Sequence, residues 1–339
     1  MTASEPQTFV LENFALQRGF TLPRAELVYR TYGRLAADKS NLILYPTSYG
    51  AQHHDIEWLI GPGRILDPTD WFIVIPNMFG NGLSSSPSTL APPFGRDRFP
   101  VFTHWDNIAA QERLLTEVFG VERIALAYGW SMGGQQALHW GAIHPDRVQR
   151  ICAICTSART SIHNKVFLEG VKATLTGDPS WRGHYFDSHP ARGLRAMGRV
   201  YAGWAMSQAF YRERVYERVG YTTLEDWLVR SWEANFLRRD AHDLLASLET
   251  WMQSDISDNA IYNGDLVAAL GAISARAIVM PSLTDLYFTP EDGRIETAQM
   301  PNAEFRPINS IWGHRAGNPA LNPDDEAVIR QAVRDLLAS

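Results

Sequence analysis

Short apolar runs, each closed by glycine, proline, asparagine or serine, recur along the chain at 41–45, 71–75, 123–128, 148–154, 276–280 and 304–308. A strand with one buried face alternates apolar and polar positions, whereas a strand buried on both faces reads as an unbroken apolar stretch. The pattern therefore predicts buried parallel strands. Helix-like segments at 105–119 and 135–144 fall between them, giving the strand-helix-strand order of an α/β fold with a mainly parallel sheet. Residues 9–32 alternate more and predict an antiparallel strand or two at the sheet edge. Between about 160 and 265 the strand pattern stops, and the chain is helix-like and rich in Arg, Trp and Tyr, as in Gly193 to Arg199 and Phe210 to Arg214. An all-helical insertion between two strands predicts a cap, so the chain divides into a core of 1–159 with 266–339 and a helical cap of 160–265. The Ser84 to Pro100 stretch reads as an ordered surface excursion, and there is no internal repeat.

Composition narrows the partners. Over 339 residues, 45% are hydrophobic and 20% charged, the profile of an ordinary globular protein able to bury a large core. The net charge of -6 is spread along the chain, which argues against nucleic acid or an anionic membrane as a partner. The apolar strand-like runs reach only about six residues, far short of a membrane span. The first residues carry neither a basic leader nor an apolar stretch, so a cytoplasmic location is expected. Cys152 and Cys155 have redox-motif spacing but sit in an apolar strand-like run, where thiols pack as small hydrophobes.

One motif carries chemistry. Gly129-Trp130-Ser131-Met132-Gly133-Gly134 follows the 123–128 strand and precedes the helix beginning near Gln135. Strand, Gly-x-Ser-x-Gly, helix is the context of a nucleophile elbow, in which a sharp turn lifts the serine from the sheet edge beside a helix N-terminus. A serine needs a histidine to take its proton and an acid to hold that histidine, in the chain order Ser, acid, His. His314 alone lies on the loop after the last strand. Asp285, just beyond the preceding strand, is the expected acid, with Asp292 as competitor but better suited to the first turn of the following helix. The oxyanion of acyl transfer needs two amide donors. One is expected from Met132 and the other from the Pro46 to Gly50 loop, at Ser48 or its neighbour Thr47. Tyr49 and Trp130, beside these donors, are expected substrate contacts. His53-His54-Asp55 lacks matching ligands elsewhere and reads as a loop bordering the pocket, so no metal and no cofactor are expected.

These residues, with Gly61 to Asp67, Trp71 to Gly80, Phe99 to Thr103 and His144 to Val148, resemble the homoserine O-acetyltransferase group of α/β-hydrolase enzymes over nearly the whole chain. The resemblance implies an α/β-hydrolase fold with a mostly parallel eight-stranded sheet and a helical cap over a deep tunnel. It also implies Ser131, Asp285 and His314 as the triad, and a homodimer held through the caps. Two positions depart from the family. Where its members carry an aspartate that pairs with the homoserine amino group, this chain has Arg315, which would repel an ammonium. The motif that grips the substrate carboxylate is only partly present, as Arg195 or Arg199 followed by Tyr201-Ala202-Gly203-Trp204. Arg315 either binds an anionic or carbonyl-rich substrate or points to solvent or to Asp324 or Asp325.

The expected function is hydrolysis of a small-molecule ester, thioester or amide through an acyl-Ser131 intermediate. The alternative is transfer of an acyl group from a CoA thioester to an alcohol other than homoserine, with acyl-CoA as co-substrate. A catalytically dead binding protein is the third class, against which the intact triad positions speak.

Overall fold

Leu42, Ile43 and Leu44 are all fully buried, yet they feed different layers. Leu42 and Leu44 join an apolar cluster with Val74, Ala127 and Trp140, while Ile43 joins another with Ile75, Tyr128, Ile278 and Val333. This two-sided burial is why the strands read as unbroken apolar runs. The computed structural model describes residues 3–338. Its strands are β1 (Gln7–Ala15), β2 (Thr21–Tyr32), β3 (Leu42–Leu44), β4 (Phe72–Pro76), β5 (Leu126–Trp130), β6 (Arg150–Ile154), β7 (Arg276–Met280) and β8 (Ala303–Phe305). They form one sheet in the order β1-β2-β4-β3-β5-β6-β7-β8. β1 with β2 and β2 with β4 are antiparallel, and all later pairs are parallel.

Two predicted strands shift. The 123–128 run starts as a single bridge, Ile124 to Val148, and the strand proper is β5, which continues into the elbow. The 304–308 run gives the short β8, and Ile308 continues the pairing as one bridge to Ser282. The helix expected over 105–119 starts at a capping box between Thr103 and Asp106, runs as His104–Arg113, then widens into a π turn over Leu114–Val118.

Between β6 and β7 the chain is helical, with Ile162–Thr176, Ala191–Ala205 and Ala241–Met252 as its longest segments. These form their own apolar cluster, including Phe167, Tyr201, Trp232 and Trp251. It closes on Met132 after β5 and on Tyr287 and Phe288 after β7, so the helices roof the C-terminal ends of the central strands.

The Ser84–Pro100 excursion is tied at two places. Ser84 and Ser85 hydroxyls accept the amides of Val28 and Glu26 on β2, at 2.9 Å each. Ser88 donates its amide (2.9 Å) and hydroxyl (2.6 Å) to the carboxylate of Asp243 on the helix Ala241–Met252. Burial raises the Asp243 carboxyl to about 6, against the lowering effect of the Ser88 hydrogen bonds. An acid whose pKa is raised on folding is ionised first in the unfolded chain, so stability falls as pH rises from about 4 to about 6 and is flat above. At ~1.4 kcal/mol per pH unit the loss is about 3 kcal/mol. Asp243→Asn, which can accept from the Ser88 amide and donate to its hydroxyl, is expected to melt close to wild type at pH 4 and above it at pH 8. An equal gap at both pH values would remove the titration from Asp243.

Candidate active site

Ser131 sits at φ 58° and ψ -130°, between the end of β5 and the helix Met132–Ile143. A non-glycine residue holds such angles only where its surroundings over-determine them, at a cost of about 1–3 kcal/mol. Here Ser131 donates its amide to Ile154 O (2.9 Å), and its carbonyl accepts from the Thr156 hydroxyl (2.8 Å). The glycines make the turn possible by sterics. A Cβ on Gly129 would lie 2.2 Å from Gly133 O, and one on Gly133 would lie 2.6 Å from Pro46 O.

His314 lies on a 3₁₀ turn, Gly313–Gly317, after β8, and Asp285 lies on the loop after β7. His314 Nδ1 and Asp285 Oδ2 are 2.7 Å apart. The other carboxylate oxygen, Oδ1, accepts the amides of Tyr287 and Phe288 at 3.1 Å each. Committing Nδ1 to Asp285 leaves Nε2 as the nitrogen available to Ser131, and both residues line one cavity of about 250 Å³. The imidazole is boxed by the rings of Tyr287 (4.4 Å), Trp130 (5.1 Å) and Phe288 (5.5 Å). The Trp130 indole also donates to the His314 carbonyl at 3.2 Å, locking the histidine turn to the elbow. Asp292 lies in the first turn of the helix Pro290–Thr297, whose N-cap is Thr289, and its carboxylate accepts from the Thr289 hydroxyl at 2.8 Å.

The geometry distinguishes the two oxyanion candidates. The Thr47 amide is engaged by Pro76 O at 3.3 Å. Among the described residues the amides of Ser48 and Met132 donate to no acceptor, and Met132 opens a helix, where the N–H has no intrahelical partner. The Ser48 hydroxyl, between Trp130 O and the Gly133 amide, pins its loop to the elbow.

Cys155 shares this neighbourhood, with Sγ and the donor atoms of Asp285 and His314 within 4.8 Å of one another. The latter two are already bonded to each other, and burial drives the Cys155 thiol well up, so the trio reads as a packed hydrogen-bonding knot in place of a ligand set. Cys152 is likewise buried and free, its thiol pushed up to about 12 by burial.

Of the other predicted contacts, Tyr49, Trp130 and Arg315 line the cavity. Tyr49 stacks on Tyr201 at 5.9 Å and donates to Leu244 O at 3.2 Å. Arg199 does not belong there. Its guanidinium lies between Glu225 and Glu233, and Arg195 shares Glu233, whose side chain is 4% exposed. The buried carboxylate captures both arginines on the outer side of the helix, so neither lines the cavity. Asp55, from the run expected to border the pocket, does line it, as do Arg238 and Arg239, which the sequence does not single out. Asp55 pairs with Arg238 at 2.8 Å and also with Arg239. The pair joins the loop after β3 to the helical layer across more than 180 positions, and only its border position was signalled by the His53-His54-Asp55 run.

A profile described as the alpha/beta hydrolase fold matches residues 63–244. The chain belongs to the α/β-hydrolase fold family. It is 36% identical over 302 residues to an ethyl acetate hydrolase of Pseudomonas veronii, covering 88% of this chain and 86% of that one. It is 32% identical to a homoserine O-succinyltransferase of Ectopseudomonas mendocina, covering 92% and 91%. The solved structure of the acetyl esterase MekB superposes with a TM-score of 0.96 at 33% identity, covering 99% of this chain and 97% of that one. The α/β-hydrolase sheet thus supplies Ser131, Asp285 and His314 from the ends of β5, β7 and β8.

Proposed function

We propose that the protein hydrolyses small esters through an acyl-Ser131 intermediate. The observation that carries the reading is Ser131 in a strained elbow, facing a cavity with the Asp285-held His314 and two undonated amides. His314 Nε2 takes the Ser131 proton as Oγ bonds the carbonyl carbon. The Met132 and Ser48 amides hold the oxyanion. The C–O bond to the alcohol breaks as His314 returns the proton to the departing oxygen. Water, deprotonated by the same nitrogen, then releases the acid and restores Ser131. No metal or cofactor enters this scheme.

The cavity of about 250 Å³ is below the ~300–1,000 Å³ of sites for drug-sized ligands, which favours a short acyl group. The similarity to an ethyl acetate hydrolase and an acetyl esterase supports the same substrate scale. Acyl transfer from acyl-CoA is the second reading, favoured by the homoserine O-succinyltransferase relative. Arg315 beside His314 speaks against homoserine as its acceptor, since a cation there repels an ammonium. The test is to supply p-nitrophenyl acetate, and separately acetyl-CoA with and without homoserine or simple alcohols. Ester cleavage with no alcohol-dependent thiol release is expected. Thiol release that rises with an added alcohol would replace hydrolysis by transfer.

The helical segment serves in this reading as a cap. The proposal extends to a homodimer through it, supported by the exposed Ile162 and Val166 on one face of Ile162–Thr176, with sedimentation as the measurement. Among the described residues no helix is long and apolar enough to cross a membrane. A cytoplasmic location is proposed, with two unpaired thiols as its support.

A further inference from the structure

Four side chains with a permanent charge at neutral pH line the cavity that holds Ser131: Asp55, Arg238, Arg239 and Arg315. The single carboxylate is used twice, by Arg238 and by Arg239. Arg239 keeps a deficit even so, because its side chain is 9% exposed and its Nε is buried with no acceptor. Arg315 has no carboxylate partner among the described residues. Asp325, a partner the sequence offered, instead accepts from Ser310 and Asn322, each at 2.6 Å. Burial disfavours the Arg315 charge, the phenols of Tyr287 and Tyr221 act in its favour, and Asn235 and Asn318 line the same cavity.

The imbalance continues outward. Through Trp232, Asn235, Arg238, Arg315 and Ala320 the cavity meets a depression of about 490 Å³. Arg230, Arg238 and Arg315 line that depression and no acidic residue does, although the chain as a whole carries -6. Arg230 is held by Asp226 at 3.2 Å and lies over the Tyr221 ring, which leaves Arg315 as the cation common to both spaces and unpaired in each. A guanidinium placed this way presents a fork of N–H donors suited to a carboxylate, and low-polarity walls strengthen the attraction.

We propose that the preferred ester carries a carboxylate that seats on Arg315 while its ester carbonyl reaches Ser131. This rests on the hydrolytic reading and names the substrate class within it. The positive mouth also draws such an anion toward the cavity against the overall charge of the protein.

The test compares charged esters with neutral isosteres on both sides of the ester bond. Acetoxyacetate is set against 2-acetoxyacetamide, and monomethyl succinate against methyl succinamate, in wild type, Arg315→Gln and Arg315→Lys. In at least one pair the wild type is expected to favour the charged member by about tenfold or more in kcat/KM, the order of one charge-assisted hydrogen bond. Arg315→Gln is expected to erase that preference and Arg315→Lys to keep part of it. Salt at ~0.5 M is expected to erode it in the wild type, a readout that needs no variant to fold. Equal cleavage within each pair by the wild type, insensitive to salt, would overturn the proposal while leaving ester hydrolysis standing. Failure to cleave any of the four, together with p-nitrophenyl acetate, would instead overturn the hydrolytic reading on which it rests.

Discussion

Ser131→Ala is expected to lower kcat on p-nitrophenyl acetate by about 10⁶-fold, the scale seen when a triad nucleophile is removed. The loss is chemical and not structural. The Ser131 side chain makes no hydrogen bond among the described residues, whereas its amide and carbonyl, which alanine keeps, are bonded to Ile154 and Thr156. The close approaches that require glycine at 129, 133 and 134, and so permit φ 58° at the turn, are unchanged by the substitution. A melting temperature near that of wild type, measured beside the rate, is therefore part of the expected result. Activity above about one per cent of wild type would place the nucleophile elsewhere.

Asp285→Asn is expected to cost about 10⁴-fold in kcat with little change in fold. The carboxylate has three donors to satisfy, the amides of Tyr287 and Phe288 on one oxygen and the imidazole on the other. Asparagine has one oxygen. If that oxygen keeps the two amides, the NH₂ group faces Nδ1, which must become an acceptor. The imidazole proton then sits on Nε2, the nitrogen that has to receive the Ser131 proton, and the resting tautomer is wrong for catalysis. A fall of less than tenfold, with unchanged circular dichroism, would show that another group orients His314.

The parts of the site that lie in one short segment, or that follow strand by strand, could be read from the chain. The elbow is local, and the acid and histidine are fixed by their place after the last two strands. Thr47 and Ser48 could not be separated from sequence, because the choice depends on which amide Pro76 O takes across the sheet. Arg199 falls outside the cavity for a related reason. In a segment rich in arginine, sequence does not say which guanidinium faces in, and the answer lay with Glu233 on a π turn that follows by more than thirty positions. Arg238, Arg239 and Asp55 meet only when the helical layer docks on the loop after β3, a contact that leaves no periodic trace. The strand ends differ by one to three residues because pairing at β5 and β8 is set by neighbours and not by hydropathy.

Arg315 follows His314 on the five-residue turn Gly313–Gly317, and that turn is pressed from both sides. A Cβ at Gly313 would lie 2.6 Å from Ala205 O, and one at Gly317 would lie 2.4 Å from the Trp130 ring. The guanidinium is thus carried by the same tightly packed turn that sets the catalytic imidazole, whereas Arg238 and Arg239 are carried by the helical layer. Divergence of that layer can reshape the passage to Ser131 and change its own share of the charge while Arg315 stays beside the histidine. One codon, at Arg315, sets the charge next to the imidazole, so that local charge and the shape of the passage are inherited as separable traits.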